Sequence, residues 1–167
     1  MTLLFNVGDK VVYPMHGAGI IEAIEEKEIL GESRKYYVMR MPIGNMKVMI
    51  PLTGVKNIGL RQVVDENMID QVINLFQDEE PVITTNWNRR YRANMEKMKS
   101  GELLEVADVV RNLMLRDRDK GLSTGERKML DNAKQILVSE MVLAKGIDQD
   151  QINSLLDDLI GERNASL

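Results

Sequence analysis

Near Leu60 the spacing of apolar residues changes from two to three and four, so one chain has to house two kinds of secondary structure. Before that point, from Phe5 to Ile58, valine, isoleucine, tyrosine and methionine dominate. They are interrupted by Gly8-Asp9, Pro14, Gly17, Gly31-Glu32, Pro42, Gly44-Asn45, Pro51 and Gly54. Such punctuation predicts strands over Lys10–Tyr13, Gly19–Ile29, Lys35–Met41 and Met46–Ile50, with hairpins closing at Leu30–Ser33 and Pro42–Asn45. The alternation in Gly19–Ile29 is imperfect, which predicts a bulge. So many short strands in so few residues enclose a core by curling into an SH3-like or Tudor-like barrel. In the last strand, alternation sets Met46, Val48 and Ile50 on one face and Lys47 with Met49 on the other.

After Leu60 the pattern is helical. Asp65 is placed to cap a helix carrying Met68, Ile69, Val72, Ile73 and Phe76, and residues 78–85 read as a loop. Thr85 or Asn86 caps the next helix, from about Trp87 to Lys99, which Ser100-Gly101 stops. Leu103, Val106, Ala107, Val110, Leu113 and Met114 mark one stripe of a third helix ending at Lys120-Gly121, its other face charged. Ser123-Thr124-Gly125-Glu126 is a capping box, in which the serine hydroxyl takes the amide three residues on and the glutamate reaches back. It opens a helix with Met129, Leu130, Ala133, Ile136, Leu137, Met141 and Ala144. Gly146 ends that run, and Asp148 begins a last helix with Ile152, Leu155, Leu156 and Leu159. The expectation is an α+β chain: a small SH3/Tudor-like β barrel over residues 1–61, then an all-α helical bundle of five helices over residues 62–167.

Composition removes several classes of function. There is no cysteine and one histidine, so disulfides, thiolate catalysis and an ordinary transition-metal site are not expected, and no cofactor is implied. His16, beside Gly17 and without a second histidine or a serine partner pattern, reads as a turn residue. No phosphate-binding glycine loop, nucleophile elbow or zinc-helix motif is present, and Asp157-Asp158 lie on a polar helix face, so an enzyme is not expected. Apolar runs such as Val48 to Pro51 fall far short of the ~20 residues of a membrane span, and residues 1–8 lack a signal-peptide pattern. A cytoplasmic monomer is the expectation.

The net charge of −4 conceals a pattern. Residues 1–61 carry 8 basic and 6 acidic side chains, 62–81 none and 6, 82–145 13 and 9, and 146–167 1 and 5. A basic middle bounded by acidic segments matters because phosphate attraction acts over roughly a Debye length, about 8 Å at physiological salt. Within that middle, Thr85-Asn86-Trp87-Asn88-Arg89-Arg90-Tyr91-Arg92 puts the only tryptophan at a helix start, followed by three arginines in four residues. A helix start aims unpaired N–H groups and partial positive charge outward, so Arg89 and Arg92 beside it make a phosphate site with Trp87 at the tip. The bland alternative is a tryptophan packed in the core and a solvated arginine face. Arg127 and Lys128 follow the capping box, where like charge opposes the helix dipole, a placement more easily understood if they meet phosphate. Arg116, Arg118 and Lys120, interleaved with Asp117 and Asp119, read as a solvated helix end paired within its own helix.

Three segments carry a resemblance. They are Val7-Gly8-Asp9-Lys10-Val11-Val12-Tyr13-Pro14 with His16-Gly17, then Thr85 to Asn94, and Gly121-Leu122-Ser123 with Glu126-Arg127-Lys128-Met129-Leu130. From about Phe5 to Leu143 the chain resembles the CarD family of bacterial transcription regulators, which includes the CdnL proteins. That family shares its first domain with the polymerase-binding module of the transcription-repair coupling factor. The resemblance implies a Tudor-like domain that binds the RNA polymerase β subunit and a helical domain that contacts promoter DNA at the upstream edge of the bubble, stabilising the open complex. It implies that Trp87 wedges into the minor groove while Arg89, Arg92 and Arg127, with Lys128 beside them, hold phosphates. Polymerase contacts in relatives correspond to Lys27 and Met49, with Lys47 on the face of Met49; neither Lys27 nor Met49 is the arginine common in actinobacterial members. The competing reading is a protein-protein adaptor without a DNA role.

Overall fold

The computed structural model describes residues 4–78 and 86–165, with side chains to Gly161. Thr85 and the loop expected after Asp78 lie outside the described residues.

Strands β1 (Lys10–Tyr13), β2 (Gly17–Ile29), β3 (Glu32–Arg40) and β4 (Lys47–Pro51) form an antiparallel meander. After a 3-10 turn at Leu52–Gly54 and the one-turn helix α1 (Val55–Ile58), strand β5 (Arg61–Gln62) returns to pair with β1. The order β4-β3-β2-β1-β5 curls around Phe5, Val11, Ile21, Tyr37, Met39, Met41, Ile50, Val55 and Leu60. The expected bulge is present, as a register shift between Ile21 and Ala23. β5 is a strand that alternation does not announce, because two residues contain no period. It pairs the side of β1 that β2 leaves free, at Val11–Gln62 and Val12–Arg61.

Among the described residues five helices follow: α2 (Glu66–Gln77), α3 (Trp87–Lys99), α4 (Leu103–Lys120), α5 (Thr124–Lys145) and α6 (Gln149–Ala165). Their starts obey local chemistry. Asp65, Asn86, Ser123 and Asp148 each accept a backbone N–H three residues on. The ends obey it too: Gly121 and Gly146, both at positive φ, donate to carbonyls of the last turns of α4 and α5. α4 departs from the single stripe expected of it. It touches α2, α3, α5 and α6, and so buries Val109, Arg111 and Leu115 as well.

The barrel is locked onto α5. The Arg61 guanidinium donates to both carboxylate oxygens of Glu140, at 2.7 and 2.8 Å, and to the carbonyl of Gly101 at 2.8 and 3.0 Å. Glu140 is 2% exposed and also accepts from the Val64 amide. Val12, Ala18 and Leu143 form a small core between sheet and helix, and Lys10 Nζ donates to the Leu143 carbonyl. The Ala18 amide donates to Ser139 Oγ at 2.8 Å, which brings the β1–β2 turn so close to α5 that Gly17 is obligatory. Its φ is +115°, and a Cβ there would lie 2.9 Å from Ser139 Oγ. Gly17→Ala is therefore expected to cost about 1–3 kcal/mol in backbone strain and displaced contact. Urea unfolding measures this; a wild-type midpoint would mean that the turn does not sit as tightly as the geometry requires.

Candidate functional site

Two helix starts converge. Asn86 caps α3 through Arg89 N (2.9 Å) and Ser123 caps α5 through Glu126 N (3.2 Å). Trp87 ties the two together, since its indole Nε1 donates to Ser123 Oγ at 2.9 Å. The ring stacks on Tyr91, centroids 4.9 Å apart and planes 17° from parallel, and stays 42% exposed. The core-packed alternative for Trp87 is thus set aside: Tyr91, one helical turn on, is half-buried against the bundle core, and the Trp87 ring stacks on it from the solvent side. Arg89, Arg92 and Lys128 are exposed, with Arg89 and Arg92 roughly 200° and 140° around α3 from Trp87, away from the stacked rings. Arg127 is exposed as well, but its Nη2 is held by Asp117 at 2.6 Å, which spends part of its charge inside the protein.

The third arginine of the run turns inward. Arg90 Nε and Nη2 donate to the Glu126 carboxylate at 2.7 and 3.0 Å, with side-chain exposures of 11% and 2%. A carboxylate closed off from water would ordinarily resist ionisation. Here the Arg90 hydrogen bonds outweigh burial, with Arg116 and Ser123 adding smaller contributions, and hold Glu126 below the usual carboxylate range. The same pairing raises Arg90 further. The capping box is altered accordingly: the Ser123 hydroxyl caps Glu126 N and donates at 3.5 Å to the Glu126 carboxylate, whose shorter bonds go to Arg90. The reading of Arg116 and Asp117 as a self-paired helix end is also corrected. Arg116 Nε points at Glu126 from 3.8 Å, and Asp117 reaches across to Arg127, because the end of α4 lies against the start of α5. Arg118 pairs locally with Asp119, as expected.

Lys27, Lys47 and Met49 share one face of the sheet. Lys27 pairs with Arg34, Lys47 with Arg40 and Met49 with Val38; Arg34, Val38 and Arg40 are spaced by even steps along β3. They are not one cluster. The Lys27 and Lys47 rungs, at Arg34 and Arg40, are six steps apart on β3, roughly 20 Å along the strand. Lys27 lies on the two-stranded ribbon that runs past the end of β4, and Lys47 is paired with Glu22 at 2.8 Å. Met49 is half-buried, and it is Met46, before the strand, that stands exposed at 57%. β4 is an edge of the sheet, so one row of its backbone groups has no strand partner.

Among the described residues, no group of three or more His, Cys, Asp or Glu side chains is arranged to hold a metal ion, and no helix is long and apolar enough to cross a membrane. The chain is thus a curled five-stranded module locked to a helical bundle that exposes an aromatic ring at a helix start. Similarity to known proteins supplies the class of function. A family model described as "CarD-like/TRCF RID domain" matches residues 5–64, and "CarD, C-terminal domain" matches residues 71–157. The chain is 48% identical over 151 residues to "Putative transcription factor YdeB" of Bacillus subtilis (strain 168), covering 90% of this chain and 99% of that protein. It also matches the solution structure of the 72-residue N-terminal domain of Myxococcus xanthus CarD at 37% identity. That match covers 37% of this chain and 83% of the other, with a TM-score of 0.32, so the likeness is one of sequence. The chain belongs to the CarD family, and its class of function is transcription regulation.

Proposed function

We propose that this protein bridges RNA polymerase and promoter DNA and stabilises the open complex. In this reading residues 1–61 bind the polymerase β subunit through the outer face and free edge of β4, with Lys27, Lys47 and Met49 in contact, the edge pairing with a strand of the partner. Residues 62–167 set Trp87 against the minor groove at the upstream edge of the bubble, while Arg89, Arg92, Arg127 and Lys128 meet phosphates. The observation that carries the reading is the exposed Trp87 at the start of α3, tied by its indole N–H to the start of α5, with exposed basic residues on the first turns of both helices. The Arg61–Glu140 lock supports it further, since a bridge transmits DNA binding to polymerase only if its two halves are held together.

The test is the lifetime of open complexes formed by a bacterial polymerase with its housekeeping sigma factor on a slowly opening promoter, with and without the protein. A longer lifetime is expected; an unchanged one despite binding to β would leave an adaptor without a DNA role. On the polymerase side, Met49→Glu sets a charge on the half-buried contact face and is expected to weaken binding to isolated β by about tenfold or more. Undiminished affinity would remove Met49 from the interface.

A further inference from the structure

We infer that the first turn of α5 is a seat for the Trp87 indole, and that Ser123, Gly125 and Glu126 are positioning residues for it. The inference rests on the wedge reading of Trp87 and adds what holds the wedge in shape.

Three observations carry it. The first is the hydrogen-bond capacity of the Ser123 hydroxyl, which has two acceptor lone pairs and one donor. Trp87 Nε1 takes one lone pair at 2.9 Å and Glu126 N the other at 3.2 Å, leaving the hydroxyl proton for Glu126 Oε1 at 3.5 Å. An ionised Glu126 can only accept, so it turns the serine lone pairs towards the indole and the helix amide. The second is Gly125. It lies inside a helix at a φ that any residue adopts, where alanine would be more stable, so its backbone freedom does not explain it. What it does show is closeness: a Cβ at Gly125 would stand in van der Waals contact with Trp87 Cζ2 at 3.4 Å and Tyr91 Cε2 at 3.8 Å, so the indole lies directly against this position and a side chain longer than alanine has to compete with it for space. The third is the Arg90–Glu126 pair, which ties the turn of α3 after Trp87 to the turn of α5 that carries Ser123. Tyr91 behind, Gly125 below and Ser123 at the N–H hold the ring on three sides. Because the indole N–H is spent on Ser123, the ring is left to meet DNA by stacking and shape, without a base-reading donor.

The chain has one tryptophan, so its fluorescence reports this ring alone. The experiment compares Ser123→Gly, which removes the hydroxyl at little cost to the helix start, with Ser123→Thr, which retains it, and Gly125→Gln, which favours the helix but fills the seat. Each is measured by time-resolved anisotropy of the free protein and by open-complex lifetime with the full chain, beside Trp87→Ala. Ser123→Gly and Gly125→Gln are expected to increase the fast, local component of the anisotropy decay. They should also shorten the open-complex lifetime by about two- to tenfold, the range one lost hydrogen bond spans, while Ser123→Thr behaves as wild type. Unchanged anisotropy in Ser123→Gly would overturn the seat. So would a mobile ring with a wild-type lifetime, provided that Trp87→Ala shortens it. If Trp87→Ala itself leaves the lifetime unchanged, the wedge reading fails and the seat loses its function, whatever the anisotropy shows.

Discussion

Trp87→Ala is expected to shorten open-complex lifetime at a slowly opening promoter by about tenfold or more, with binding to the isolated β subunit retained. An apolar wedge offsets an unstacking cost of a few kcal/mol per base step, and about 1.4 kcal/mol of preference for the opened duplex already shifts its population tenfold. The substitution is well suited to isolating that effect. Trp87 is 42% exposed and contributes no backbone cap, because Asn86 supplies it, so α3 keeps its start without the indole. Trp87→Phe separates two contributions: it keeps an aromatic face for Tyr91 but loses the N–H held by Ser123, and an intermediate lifetime is expected. A wild-type lifetime in Trp87→Ala, with β binding confirmed, would remove the wedge and favour an adaptor.

Glu126→Ala is expected to destabilise the protein by about 3–5 kcal/mol, because it takes the anion out from between two arginines in a site nearly closed to water. Arg90→Ala should cost less. It leaves Arg116 Nε 3.8 Å from the same carboxylate, able to move in as a substitute, so the two variants of one ion pair are expected to differ clearly. Urea unfolding of both variants and of the double variant measures this asymmetry, and equal losses would mean that Arg116 takes no part. The pH dependence has a definite sign. Glu126 is held below the ordinary carboxylate range, so its stabilisation is complete above that range and is lost as pH falls through the lower folded value. In Glu126→Gln that portion of the acid limb should be absent.

The inward turn of Arg90 shows where local reading stops. Arg89, Arg90 and Arg92 stand in one run and carry the same charge, yet Arg90 faces a buried glutamate while the other two face solvent. In the structure Arg90 shares the inner side of α3 with the buried Asn94, four residues on, but both are polar and neither marks that side as an apolar one. What that face would meet was not available. Glu126 is 36 residues away, and its capping-box position suggests a local role that the Arg90 guanidinium overrides. Trp87 itself was legible as a helix-start residue beside positive charge. Its exposure was not, because burial depends on whether another helix covers that side.

By itself the amino-acid sequence determined the change from strands to helices after Leu60 and, among the described residues, four of the five strands, the bulge in β2, the five bundle helices, and the capping roles of Asp65, Asn86, Ser123 and Asp148. All of these rest on interactions within a few residues, namely period, turn chemistry and a side chain satisfying an amide three positions on. Only the tertiary structure decided which arginines remain free to meet a partner, that β5 exists, and that Arg61 and Glu140, 79 residues apart, lock the barrel to the bundle. Those depend on which distant groups packing removes from water together. A buried charge then takes the nearest opposite charge in space, and distance along the chain has no part in that choice.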